Sequence, residues 1–347
     1  MANYSEKKPY YQIEGIIALY LLKGFDMKNL KIVLTLLPVI VILMIFSINP
    51  KSTQFSSKPL ITTSNFAIYD VIKHIGKDKI KVVDIMPFGV DPHSFEPTPK
   101  QVVQLEKSQL FFFSGDVLEP WADHLALNAR GIDVSKYVSL IKFDDTDAGE
   151  EHADHDADEH EDEHEHHHHH GAYDPHYWLD IDNMKHIAQL VTEKLTTLDP
   201  KNKHFFEANQ KAYIQSLDEI DTLYKQNLLT CKKDTIVVTH NAFSYLAQRY
   251  DFHVDSLTGL SSEAQPSADD VKRILKEIED KNIKTVFFEN FVNSKTIKTV
   301  ANDLGLATID SLQPLGNITG AEATLKLTYT DIMKINLEKI ARAMQCN

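Results

Sequence analysis

The triplet Asp-Pro-His stands at Asp91–His93 and again at Asp174–His176. A proline fixes its own φ and restricts the residue before it, so each triplet holds its imidazole on a stiff turn. Two further candidate ligands follow β-type runs: His240 directly after TIVVT, and Asp310 directly after ATI. A single strand-end histidine is commonly a loop or capping residue and nothing more. Taken together, His93, His176, His240 and Asp310 supply three nitrogens and one oxygen, which suits a tetrahedral Zn2+.

A different ligand chemistry fills Glu150–His170, which reads EEHADHDADEHEDEHEHHHHH. Nine of the chain's 17 histidines lie there: His152, His155, His160, His164, His166, His167, His168, His169 and His170. Imidazoles interleaved with carboxylates form a set of auxiliary, weak metal sites. Such a composition cannot build a core, so residues 144–171 are predicted to be a solvated, disordered loop. An acidic spacer or an artificial tag are the plainer readings; a tag would stand at a terminus and would not interleave Asp and Glu. The formal net charge is −14, and thirteen carboxylates with no Lys or Arg fall within Asp144–Glu165, so the rest of the chain carries about −1. That local acidity, with no basic face elsewhere, argues against a nucleic-acid partner.

Positioning these residues falls to an alternation of strand and helix signals. Leu60–Ser64, Ile80–Ile85 and Leu110–Ser114 read as strands, with helices over Phe66–Ile75 and Pro99–Ser108. Pro120–Leu127 reads as helix and Val138–Phe143 as a fourth strand. Beyond the acidic tract, Ile181–Leu198 has helical periodicity. Asn202–Leu228 places Phe205, Phe206, Tyr213, Leu217, Ile220 and Leu223 on one face of a long helix. A second series follows: strand Thr235–Thr239, helix Ala242–Tyr250, strand Phe252–Leu257 and helix Ser267–Asp280 with Ser267 as N-cap. Strand Lys284–Phe288, a helix around Ser294–Leu304, strand Ala307–Ile309 and a final helix Gly320–Met344 complete it. The fold class is therefore α/β: two lobes with mainly parallel sheets joined by one long helix, and a ligand site in the interlobe cleft. Residues 58–200 form the first lobe, 201–228 the linking helix and 229–347 the second lobe.

Residues 1–57 precede these lobes. Lys28 and Lys31 flank the uncharged apolar run Ile32–Ile48, the pattern of an export signal, and the run is also near the minimum length of a membrane anchor. Met27 directly precedes Lys28, so residues 1–26 read as a cytoplasmic tail or a misassigned start. Ser47–Ser57 reads as a linker. The two cysteines, Cys231 and Cys346, allow one disulfide in an oxidising compartment or two free thiols.

The chain resembles the ZnuA-type substrate-binding components of zinc ABC importers. The resemblance covers about Lys58–Cys346 and rests on DPHSFEPTPKQV around His93, DPHYWLD around His176 and VTHNAFSYLAQRY around His240. DPKNKHFFEANQKAYIQSLDEID, GLSSEAQPSADDV, VFFENFVNSKTIKTVANDLG and ATIDSLQPLG add to it. It implies metal ligation by His93, His176 and His240, with Asp310 at the place of a carboxylate ligand or support and Glu96 as an alternative acid. It also implies a rigid linking helix, a periplasmic monomer, Zn2+ as cargo and a membrane permease as partner. Manganese-type members have a carboxylate at the position of His240, so an imidazole there favours zinc. If the apolar leader is not cleaved, the protein is tethered to the inner membrane.

Other residues read more modestly. His124, His186, His204 and His253 suit a surface, and His74 suits the C-terminal end of a helix. Phe88, Trp121 and Trp178 are candidates to wall the cleft, and Glu263 and Glu289 read as hydrogen-bonding supports. The competing functions are an importer component for manganese or another divalent ion, a metal-storing or adhesin protein, and a zinc hydrolase. H-E-x-x-H occurs only inside the acidic tract, at His160–His164 and His164–His168, where alternating His and Glu generate it by composition; the chain has no G-x-S-x-G, and four protein ligands would leave no activated water.

Overall fold

The structure is a computed structural model and describes residues 58–125, 130–142, 173–260, 266–289 and 308–347. The chain divides at Ser57/Lys58, and everything described belongs to the second unit, Lys58–Asn347. The apolar run 32–48, the histidine-rich tract and the helix expected at Ser294–Leu304 lie outside the described residues. Among the described residues, no helix is long and apolar enough to cross a membrane.

The first lobe is a four-stranded parallel sheet of β1 (Leu60–Thr63), β2 (Lys81–Asp84), β3 (Leu110–Phe113) and β4 (Gly131–Asp133), in the order β2-β1-β3-β4. Helix α1 (Phe66–Gly76) follows β1, with the Asn65 side chain accepting from the Ile68 N–H. Helix α2 (Pro99–Lys107) has proline in its first turn. The fourth strand differs from the expected one. The Val138–Phe143 run has a strand-like pattern, but among its described residues two N–H groups are taken by side chains and Lys142 makes an isolated antiparallel bridge with Tyr173. Ser139 N donates to Asn183 Oδ1 and Ile141 N to Tyr245 OH. The short run Gly131–Asp133 pairs with β3 instead.

Two helices follow, of which the second is the linking helix. Helix α3 (Ile181–Leu198) is capped by Asp180, whose side chain accepts from Asn183 N. Helix α4 (Lys203–Asn227) has 25 residues, about 37 Å at 1.5 Å per residue. Phe206, Tyr213, Leu217, Ile220 and Tyr224 are its buried face. Phe205 and Leu223, expected on that face, lie at its partly exposed margins.

The second lobe repeats the plan with β5 (Thr235–His240), β6 (His253–Thr258), β7 (Thr285–Glu289) and β8 (Thr308–Leu312), all parallel, in the order β6-β5-β7-β8. Helices α5 (Ser244–Tyr250), α6 (Ala268–Asp280), α7 (Gly320–Leu325) and α8 (Tyr329–Ala343) pack around it. Ser267 and Asp270 form a capping box at the start of α6. The single helix expected from Gly320 to Met344 is two, because Lys326 is left-handed (φ 56°) and Thr328 starts a new capping box with Asp331.

One continuous core runs through both lobes, from Ile61 and Phe112 through Tyr177, Ile187 and Leu217 to Ile236, Phe243 and Ile332. The lobes are therefore not independent hydrophobic units. Cys231 and Cys346 are joined in a disulfide, one of the two possibilities left by sequence.

Candidate metal centre

In each sheet the chain leaves a central strand in one direction and later returns on its other side. Such reversals open a crevice at the strand C-termini. In the second sheet the crevice lies between β5 and β7, whose last residues are His240 and Glu289. In the first lobe, the connection after β2 carries His93, and the turn before α3 carries His176.

Both Asp-Pro-His triplets do what their chemistry dictates. Asp91 Oδ1 accepts from His93 N at 2.9 Å, and Asp174 Oδ1 accepts from His176 N at 2.9 Å. The second aspartate also meets the ring, with Asp174 Oδ1 2.8 Å from His176 Nδ1. Glu289 stands against Nδ1 of His240 in the same way. A carboxylate behind Nδ1 fixes the tautomer that leaves the Nε2 lone pair free.

Those Nε2 atoms converge. His93 Nε2 is 3.1 Å from His176 Nε2, and His240 Nε2 is 3.3 Å from it. The ligating atoms of all three residues lie within 4.8 Å of one another. Tetrahedral ligation at about 2.05 Å requires nitrogens about 3.3 Å apart, so the trio is spaced for one shared ion. Burial, then the neighbouring His176, depresses the His93 pKa to about 4. Burial, with His176 and His93 beside it, holds His240 well below the usual histidine range. Both rings are thus neutral and able to ligate at ordinary pH.

Asp91, Pro92, Trp178, Glu289, Pro314 and Gly316 wall the site. Trp178 Nε1 donates to Pro314 O at 2.7 Å, and Tyr329 OH to Trp178 O at 2.7 Å. Glycine is required at 316 because a Cβ there would meet Pro92 Cγ at 2.9 Å and Trp178 Cζ2 at 3.1 Å.

The structure brings His93, His176 and His240 together and leaves Asp310, the fourth expected ligand, outside the group. Asp310 is bound by Lys339 at 3.1 Å and lies 3.8 Å from Arg342, and it is not part of the converging group. The cause is strand length: β8 continues to Leu312, so Asp310 sits mid-strand opposite Phe287 rather than at the strand end. Its neighbour strand carries the nearby carboxylate, Glu289. Glu96 is exposed and also outside the group. Trp178 walls the site, whereas Phe88 is 61% exposed and Trp121 stacks on Phe111 and meets Phe95 edge-on in the first lobe. His124, His186, His204 and His253 are exposed, and His74 pairs with Asp70. Glu263 and the nine histidines of the tract lie outside the described residues. Sequence reasoning missed the orienting role of Asp174, although its place two residues before a histidine is the signal for it. It also missed Gly316.

Two parallel α/β lobes around a single-ion, three-imidazole crevice define a metal-ion-binding protein of the substrate-binding type. The family described as "ZnuA: Zinc-uptake complex component A periplasmic" matches residues 61–343, and the chain belongs to it. It is 33% identical over 280 residues to the high-affinity zinc uptake system protein ZnuA of Bacillus subtilis, covering 81% of this chain and 86% of that one. It is 28% identical over 305 residues to the manganese ABC transporter substrate-binding lipoprotein PsaA of Streptococcus pneumoniae, covering 84% and 91%. The Zn(II)-bound ZnuA-like domain of Streptococcus pneumoniae AdcA superposes with a TM-score of 0.66 at 25% identity, covering 83% of this chain and 99% of that one. The chain is the metal-binding, substrate-binding component of an ABC transporter, and not an enzyme.

Proposed function

We propose that this protein captures one Zn2+ outside the cytoplasm, between His93, His176 and His240, and delivers it to a membrane permease. The observation that carries this reading is the convergence of three Nε2 atoms at the spacing of one shared ion. All three protein donors are imidazoles, which suit zinc, whereas carboxylate and carbonyl oxygens suit manganese. The zinc-uptake relative in Bacillus subtilis supports the choice. Manganese is the second reading, supported by the pneumococcal manganese relative. The protein is exported to the periplasm as a monomer, free or tethered by residues 32–48.

The histidine-rich tract serves as a collector. If residues 144–171 behave as a coil, a chain of about 28 residues spans roughly 30 Å root-mean-square, and the tract ends only a few residues before His176. Many weak sites tethered there raise the local ion concentration without needing high affinity themselves.

Calorimetric titration tests both parts. Deleting Asp144–His170 should leave one tight Zn2+ equivalent and remove the weaker ones, while His93→Ala, His176→Ala and His240→Ala should each weaken the tight site. Loss of the tight equivalent on deletion would sink the collector. Because divalent zinc outcompetes manganese at most nitrogen sites, cellular metal content must decide the cargo. Cells lacking the protein should lose zinc and keep manganese, and the opposite result would make manganese the cargo.

A further inference from the structure

His176 and His240 are fixed from within their own lobes, by Asp174 and by strand β5 with Glu289. His93 stands instead in the irregular connection between β2 and α2, and the other lobe holds that connection. Asn317, 1% exposed, lies beyond the end of β8 in the second lobe. Its Nδ2 donates to Pro87 O at 2.8 Å and to Val90 O at 2.7 Å. Its Oδ1 accepts from Ile318 N at 2.8 Å. Gly89, left-handed at φ 79°, adds a bond from its N–H to Ile318 O at 2.9 Å. From Val90 only Asp91 and Pro92 lead to His93, and both are stiffened by the proline and by the Asp91 turn.

We propose that Asn317 is a positioning residue for metal capture: by clasping Pro87 and Val90 it sets His93 against His176 and His240. The proposal rests on the three-imidazole reading of the site. Both amide hydrogens are spent on one turn, so the side chain fixes the turn's orientation as well as its distance. The same segment also ties to the first lobe at Phe66 N–Gly316 O, 2.9 Å, and at Trp178 Nε1–Pro314 O. Movement of the segment from Pro314 to Ile318 would therefore carry His93 away from the other two rings. Asn317 is thus the link through which a change at the lobe interface reaches the ion.

The test uses the full chain with Zn2+ and Co2+ as probes. Asn317→Ala should weaken Zn2+ about 10–100-fold, the usual effect of losing a group that orients a ligand. Most of that loss should appear as faster release to a chelator. The Co2+ absorption bands, which report ligand geometry, should change. In a His93→Ala background the same substitution should add less than about threefold, because the ligand it positions is gone. Asn317→Ser, which removes the two amide donors but keeps a polar hydroxyl on a shorter side chain, serves if the alanine variant does not fold, and the same results are expected of it. Zn2+ affinity within about twofold of wild type would overturn the proposal. So would an equal loss in both backgrounds, or an unchanged Co2+ spectrum. If His93→Ala itself leaves tight binding intact, the three-imidazole reading falls and this proposal falls with it. A His93→Ala loss without an Asn317 effect removes this proposal alone.

Discussion

A histidine grips an ion only when neutral, correctly tautomeric and aimed, and each requirement has a named residue here. Asp174 orients His176, Glu289 orients His240, and burial keeps the rings of His93 and His240 unprotonated. Asp174→Asn retains a backbone acceptor but removes the charged partner of the ring. It should weaken Zn2+ about 10–100-fold, measured by chelator competition, with little change in metal-free unfolding. The depressed His93 pKa has a second consequence. Unfolded, a histidine takes up its proton near pH 6.5, while folded His93 does so only near about 4. Between those values the unfolded chain holds the extra proton, so metal-free stability falls as pH drops from 6.5 toward 4. Urea unfolding at pH 7.5, 5.5 and 4.5 should show that slope, and His93→Ala should reduce it. The three converging histidines were singled out in sequence because proline and strand ends constrain side-chain direction locally. Asp310 was expected at a strand end and lies mid-strand, because the end of a strand is set by its pairing partner, which no local pattern contains.

Among the elements, α3, α4 and α5 meet at Arg249. Its guanidinium reaches Asp180 at 3.1 Å and Asp182 at 2.8 Å on the α3 side, and Asp221 of α4 at 2.8 Å. Burial of Asp221 pushes its carboxyl up, but bonds from Arg249 and Lys225 more than offset this and hold it at about 2. A residue of the second lobe thereby pins the first lobe to the linking helix. Arg249→Ala leaves Asp221 bonded to Lys225 and the Tyr250 hydroxyl but removes the tie to Asp180 and Asp182, and should cost about 1–3 kcal/mol, read by denaturation of the metal-free protein. The helices themselves were legible, since α3 and α4 follow 3.6-residue periodicity. The loss of the Val138–Phe143 strand was not, because it depends on Asn183 and Tyr245, distant in sequence; the break at Lys326 was missed although its capping box, Thr328 with Asp331, is a local signal.

For the molecule as a whole, the shared core and the long α4 make large hinge opening costly, so ion exchange calls for small displacements around the crevice. The Cys231–Cys346 bridge closes a loop of 115 residues, which constrains the unfolded chain by about 4–5 kcal/mol. The bridge precedes the N-terminal end of β5, and His240 ends that strand, about 17 Å further on at 3.3 Å per residue. The double variant Cys231→Ser/Cys346→Ser should therefore lose about 3–5 kcal/mol of stability with unchanged Zn2+ affinity. Parallel loss of affinity would show that the bridge reaches the metal site.

Sequence alone determined the alternation of strands and helices, the two stiff triplets and the third strand-end histidine, because each follows from local sterics, periodicity and capping. It also determined that the excess charge is confined to one tract. Only the tertiary structure decided that three imidazoles 83 and 64 residues apart meet at ligand spacing, that Glu289 rather than Asp310 stands beside them, and that Asn317 holds the first of them from across the cleft. Those outcomes depend on strand register and on packing between lobes. Register and packing are properties of pairs of distant segments, and a single stretch of chain does not encode them.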